Sequence, residues 1–468
     1  MNRRVCMKCL SITIAALPLL FGGCSQAALV TGAGSMIKVG SVNVEEEAHY
    51  SDESTADELI ASFASQDGLC EIKQYASYYD VTLDYEKGSP EEVGAAYAAT
   101  LKEAAPHYEA VIEPYLYENM RHSFGGRNVN YDALTERIMT LEAAIPDEYR
   151  KEIESFAKAM ADGEEGYSAN GELSYIELLT AQIIPDALRP TACSALSLSG
   201  SMTASGQRIT MRNLEWSLGS DAQIAAIHAV THMKKAERSI TVIGMLGIFD
   251  IITAVNDDGV MIGILDVGSD TSAMEGMPYV YERKKCYTFE IRAALERFDN
   301  AKDAGEFLLS ESGDFTWCNN MLVSDKKDVF CCENATREVQ EAGRAVSVLR
   351  SPDTELMEGL LWDRKDAFCI VNSFATKGNN DSFTGMQGNI DRFAKYNLWV
   401  NEKEKFSAAD VKALMAKEHV KEYGVVNVHN SGTVHTVILD YATGNIQVAF
   451  TQDYYADDVP EYVTIGHF

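Results

Sequence analysis

A thiol, a fixed cation and a carboxylate fall within one hairpin length of this chain. Cys193 is followed by Ser194, and Arg212 and Glu215 close the stretch in the run Arg212-Asn213-Leu214-Glu215-Trp216. A thiol becomes a nucleophile as its thiolate, and a neighbouring guanidinium favours that form. By itself Cys193 would read as a small buried hydrophobe and Arg212 with Glu215 as a surface ion pair. Spaced as they are, the three residues make a compact nucleophile site.

The elements around that site follow from periodicity. Ser194 to Thr203 and Gln207 to Trp216 form a hairpin pattern turning at Ser205-Gly206, and the strand candidates Gln223–Thr231, Ser239–Gly247 and Val260–Val267 follow. Upstream, residues 56 to 185 read as helical, with apolar residues three and four apart from Glu91, from Tyr131, from Tyr149 and from Leu173. Downstream, Tyr287–Leu309 reads as one long amphipathic helix, and Ser407–Glu418 as a shorter one capped by Ser407. Strands return at Val425–His429, Thr433–Tyr441 and Asn445–Thr451. Helices followed by many strands predict an α+β class.

Composition bounds the partners. Of 468 residues 46% are hydrophobic and 24% charged, which suits a folded core, and the net charge of −30 excludes nucleic acid, whose binding needs clustered cations. Met1-Asn2-Arg3-Arg4, the apolar run Leu10–Phe21 and then Gly22-Gly23-Cys24 resemble a bacterial lipoprotein signal. That resemblance implies a leader over residues 1–23, lipidation of Cys24, and export to the cell envelope or, if the leader is cut as an ordinary signal, secretion. Membrane attachment is then expected only through the lipid, because no later apolar stretch reaches the roughly 18 to 20 residues of a spanning helix. Residues 25–55 read as a tether. Of the ten cysteines, seven lie beyond Cys24, an odd number that predicts one free thiol and up to three disulfides. His228 and His232 lack a third ligand in a zinc pattern, so neither metal nor cofactor is expected.

The Cys193 stretch resembles the N-terminal-nucleophile cysteine amidases of the acyl-coenzyme A:6-aminopenicillanic acid acyltransferase and choloylglycine hydrolase type, over roughly Leu178 to Phe468. The resemblance implies a four-layer αββα sandwich over residues 193–468, preceded by a helical propeptide or α-chain over residues 56–192. It implies self-cleavage between Ala192 and Cys193, after which the new α-amino group serves as the base. Arg212 matches the family's arginine, and Glu215 stands where the family carries Asp, orienting that amino group. Val255-Asn256-Asp257-Asp258-Gly259 is similar to the segment whose backbone N–H helps form the oxyanion hole, although its composition alone makes it a turn. Cys369-Ile370-Val371-Asn372 is similar to the segment whose Asn amide donates to the oxyanion, with Val371 in place of Thr. Asn389-Ile390-Asp391-Arg392-Phe393 is similar to the block whose arginine braces the nucleophile, which makes Arg392 the candidate.

The implied activity is hydrolysis of a linear non-peptide amide, an N-acyl small molecule, through a thioester, with acyl transfer to an amine as a variant. A dipeptidase of related fold and a catalytically silent surface-binding lipoprotein are the alternatives, and self-association stays open. Loops within 266–285 and 375–390 are expected to set substrate preference.

Overall fold

Period-two burial begins earlier in the chain than the sequence suggests. In β2 (Cys70–Tyr75) Cys70 and Ile72 are buried while Glu71 and Lys73 are not, and in β3 (Tyr79–Asp84) Tyr79, Val81 and Leu83 alternate in the same way. With β1 (Leu59–Ala64) they form an antiparallel meander. Residues 59–84 are therefore sheet, which corrects the expected helix from residue 56.

This computed structural model describes residues 49–124, 126, 128–163, 165–188, 192–268, 284–379, 387–420, 427–453 and 459–468. The expected leader, Cys24, most of the tether and much of both substrate-loop segments lie outside those residues. The part of the tether that is described is fixed in place. Tyr50 packs against Tyr462, Lys412 Nζ donates to Ser51 O and Ser54 Oγ, and Thr55 bridges to Val463.

Six helices follow the meander: α1 (Pro90–Ala104), α2 (Tyr108–Ser123), α3 (Tyr131–Glu142), α4 (Asp147–Met160), α5 (Tyr175–Ala181) and α6 (Ile184–Leu188). Ser89 and Glu92 close a capping box at the start of α1, with Pro90 in the first turn where its missing N–H costs nothing. Val93, Tyr97 and Leu101 then bury one face of α1.

The next strands are β4 (Ala192–Leu198), β5 (Ile209–Glu215), β6 (His228–Lys234), β7 (Ile240–Met245), β8 (Thr253–Asn256) and β9 (Met261–Asp266). The long helix expected after them is two, α7 (Tyr287–Arg297) and α8 (Ala301–Glu311). The helix breaks because Asn300 is extended and its side chain caps α8 through the Asp303 N–H. The chain continues through β10 (Asn319–Ser324), β11 (Val329–Asn334), α9 (Arg337–Glu341), β12 (Val348–Arg350) and β13 (Ala367–Ile370). It closes with α10 (Gln387–Glu402), α11 (Ala408–Lys417), β14 (His419–Val420), β15 (His429–Asn430), β16 (His435–Asp440), β17 (Asn445–Phe450) and β18 (Val463–His467).

Two sheets carry the molecule, giving the mixed class expected. One has ten strands in the order β1-β2-β3-β6-β7-β8-β9-β10-β11-β12, and the other six in the order β13-β4-β5-β16-β17-β18. They meet face to face where β4 contacts β9. Along β4 and β5 the alternation is clear. Cys193, Ala195 and Leu214 join the core between the sheets, whereas Leu196, Leu198, Ile209 and Met211 join a second core with Phe393, Tyr396 and Trp399 of α10 and Val411 and Met415 of α11. Helices α1, α7 and α8 pack on strands of the ten-stranded sheet. No helix among the described residues is long and apolar enough to cross a membrane.

Candidate active site

The register of the β4–β5 hairpin sets the site. Cys193 stands opposite Leu214 and Ala195 opposite Arg212, so Cys193 and Arg212 share the face turned to the ten-stranded sheet. Arg212 is fully buried, and its Nη2 donates to Cys193 Sγ at 3.3 Å and to Ile264 O of β9 at 2.6 Å. Its room comes from Gly263, where a Cβ would stand 3.3 Å from Arg212 Cγ and Nε. Nη1 lies 3.4 Å from His435 Nε2. An arginine only donates, so Nε2 is the acceptor and the imidazole proton sits on Nδ1. Burial and the neighbouring guanidinium hold His435 neutral, well below the usual histidine range.

Two polar side chains meet the backbone of Cys193. Its N–H donates to Asn372 Oδ1 at 2.6 Å, and its carbonyl accepts from Arg392 Nη1 at 2.7 Å. Arg392 Nη2 also donates to Asn372 Oδ1 at 2.8 Å and to Asn389 Oδ1 at 2.7 Å. Asn372 Nδ2 donates to Asp266 O at 2.8 Å, which uses one of its two hydrogens. Arg392 and Asn389 reach the site from α10, an element the local sequence pattern did not reveal.

Glu215 ends β5 opposite Ala192, the residue that precedes the thiol. Thr433 Oγ1 donates to its Oε1 at 3.3 Å. Oε2 accepts no hydrogen bond among the described residues and lies 3.7 Å from Arg392 Nη1. Burial raises the Glu215 carboxyl to about 7, with Arg392 and Arg212 pulling the other way. Burial likewise pushes the Cys193 thiol up to about 11, against Arg212, which lowers it. In the continuous chain the thiol is therefore protonated at neutral pH.

Asn256 is not part of this cluster. Its N–H donates to Val260 O, its Oδ1 accepts from Val260 N, and its Nδ2 donates to Leu295 O and Phe298 O. With Gly259 at φ +82°, the segment is a tight turn, so the oxyanion role expected of Asn256 is corrected to a structural one. Disulfides are corrected as well. All seven described cysteines are buried, and none is bonded to another. His228 and His232 are committed to Thr451 O and to Asp80 with Thr241.

No protein-family model and no curated protein matches the chain. Among solved structures it is similar to a Caenorhabditis elegans N-acylethanolamine-hydrolyzing acid amidase ortholog, at 12% identity and a TM-score of 0.33, over 57% of this chain and 95% of that one. It is also similar to a mutant conjugated bile acid hydrolase from Clostridium perfringens, at 11% identity and a TM-score of 0.32, over 59% of this chain and 97% of that one. Likeness at that level leaves the chemistry of the site to its own geometry.

Proposed function

We propose that the protein is an N-terminal-nucleophile cysteine amidohydrolase of αββα architecture, activated by its own cleavage between Ala192 and Cys193 and acting on linear N-acyl amides. The observation that carries this reading is the convergence of Arg212, Asn372 and Arg392 on the thiol, N–H and carbonyl of one residue, Cys193. A structural cysteine needs no such set.

In activation, Sγ attacks the carbonyl carbon of Ala192. The Ala192–Cys193 C–N bond breaks, the thiol proton passes to the departing nitrogen and frees the Cys193 amine, and water hydrolyses the resulting thioester to the Ala192 carboxylate and the Cys193 thiol. That amine, with an ordinary pKa of about 7.7 to 8.0, becomes the base the buried thiol lacked. Glu215 Oε2, the orphaned acceptor across from Ala192, suits the new ammonium.

In turnover the amine takes the thiol proton and the thiolate adds to the substrate carbonyl. The second Nδ2 hydrogen of Asn372, which meets no acceptor among the described residues, donates to the oxyanion. The ammonium then protonates the leaving amine, and water, or another amine in acyl transfer, resolves the thioester. The lipid anchor and envelope location belong to the same reading.

The test pairs intact mass with turnover. Purified protein should show a species beginning at Cys193 and should hydrolyse members of a panel of N-acyl amino acids, bile conjugates and penicillins, while Cys193→Ala stays uncut and inert. Amide hydrolysis that survives Cys193→Ala, or a wild type that is uncut and inert on every substrate, overturns the proposal.

A further inference from the structure

Asn372 sits at the apex of a three-residue turn. Ser373 N–H donates to Val371 O at 2.8 Å, the hydrogen bond of a γ-turn, and Asn372 keeps a negative φ, as in the common inverse form. Such a turn has a single internal hydrogen bond and little intrinsic rigidity. Its apex side chain nevertheless has to present one amide to Cys193 N–H, Arg392 and Asp266 O together.

The turn is held from two sides: Asn389 Nδ2 of α10 donates to Asn372 O at 3.0 Å and to Ser373 Oγ at 2.6 Å, and the opposite sheet holds the carbonyls on either side. Asn320 lies on β10, paired with Leu265 of β9 and Glu333 of β11, and is fully buried. Its Nδ2 donates to Val371 O at 2.9 Å and to Ser373 O at 2.9 Å, so one NH2 group holds both carbonyls that flank Asn372. Both hydrogens are then spent, and Oδ1 is left buried without a partner among the described residues. A buried orphan acceptor destabilises the fold. The side chain that would avoid this cost, an apolar one, would release both ends of the turn.

We propose that Asn320 is a positioning residue for the amidase reaction, stapling the γ-turn so that the Asn372 amide is preset toward the tetrahedral intermediate. This rests on the proposed function. Asn320 does not touch the reacting atoms; it acts through Asn372, and its effect should fall on transition-state stabilisation rather than on substrate binding.

The experiment is a double-mutant cycle on the full chain, with Cys193→Ala as the blank. Asn320→Asp keeps the shape and loses both donors, and Asn320→Ala is the fallback if the charge prevents folding, with melting temperature recorded for each. Single variants should lose about 10²-fold in kcat, the scale of a misplaced catalytic group, with KM within about twofold. Asn320→Ala combined with Asn372→Ala should be no slower than Asn372→Ala alone. Folded Asn320 variants with wild-type kcat, or losses that multiply with that of Asn372→Ala, overturn the inference and leave the proposed function standing. A wild type with no Cys193-dependent turnover overturns the proposed function and this role with it.

Discussion

The proposed cut would place a new ammonium near Glu215, which ends β5 opposite Ala192. In the continuous chain its buried carboxyl is raised to about 7, and Oε2 meets no donor among the described residues. The folded form then binds a proton that the unfolded form, at an ordinary carboxylate value, has released. Stability from this group is complete below the unfolded value and is lost as pH rises toward and through 7. The uncut Cys193→Ala protein should therefore lose melting temperature between about pH 5 and 7. Glu215→Gln in that background should lessen the loss. Scanning calorimetry across that range checks it, and identical slopes for the two proteins would count against the assignment. Burial also raises Glu152 to about 7 and Asp186 to about 6, so some slope should persist.

At the scale of elements, Arg212 reaches the thiol because β9 leaves a gap for it. Gly263 faces the guanidinium stem, and any Cβ there would press on Arg212 Cγ and Nε at 3.3 Å. Gly263→Val adds two further carbons in the same place and should push Arg212 off the Cys193 sulfur. Without that guanidinium the thiol rises further. The expected outcome is slower processing at Ala192–Cys193 and at least tenfold slower alkylation of Cys193 by iodoacetamide, an order of magnitude per lost unit of thiolate preference. A variant that alkylates and matures at the wild-type rate would separate Arg212 from the nucleophile. The turn at Asn256 teaches the complementary point. Its composition, Asn-Asp-Asp-Gly, fits both a turn and an oxyanion loop, and only the Val260 and Leu295 hydrogen bonds separate them.

At the scale of the molecule, the part before Cys193 is built into the part after it. β3 pairs in parallel with β6, and one continuous core takes in α1, α2, α4 and the space between the sheets. Arg292 pairs with Glu152 at 2.5 Å where both are buried, and Asp186 accepts from Tyr287 N–H, Thr288 and Thr316. A cut at Ala192–Cys193 should leave the upstream piece bound as an α-chain. Gel filtration of the processed protein should give one peak containing both chains, separating only in denaturant. Recovery of an active C-terminal chain alone would contradict that expectation.

The local sequence was enough for the β4–β5 hairpin, for the capped start of α11, and for Cys193, Arg212 and Glu215 as neighbours, because these depend on period, caps and a short register. Asn372 and Arg392 were legible only through resemblance, since nothing in a lone Asn or Arg says which backbone it will meet. Tertiary structure decided the rest. It made residues 59–84 part of the large sheet, where pairing with β6 outweighs any local helical pattern. It turned Asn256 away, and it brought Asn320, Asn389 and His435 to the cluster. Those contacts join residues from 16 to 223 positions apart, and their geometry exists only once two sheets and a helix have packed. Sequence pointed to the candidate nucleophile and its cation; the packed sheets chose the amides that meet it.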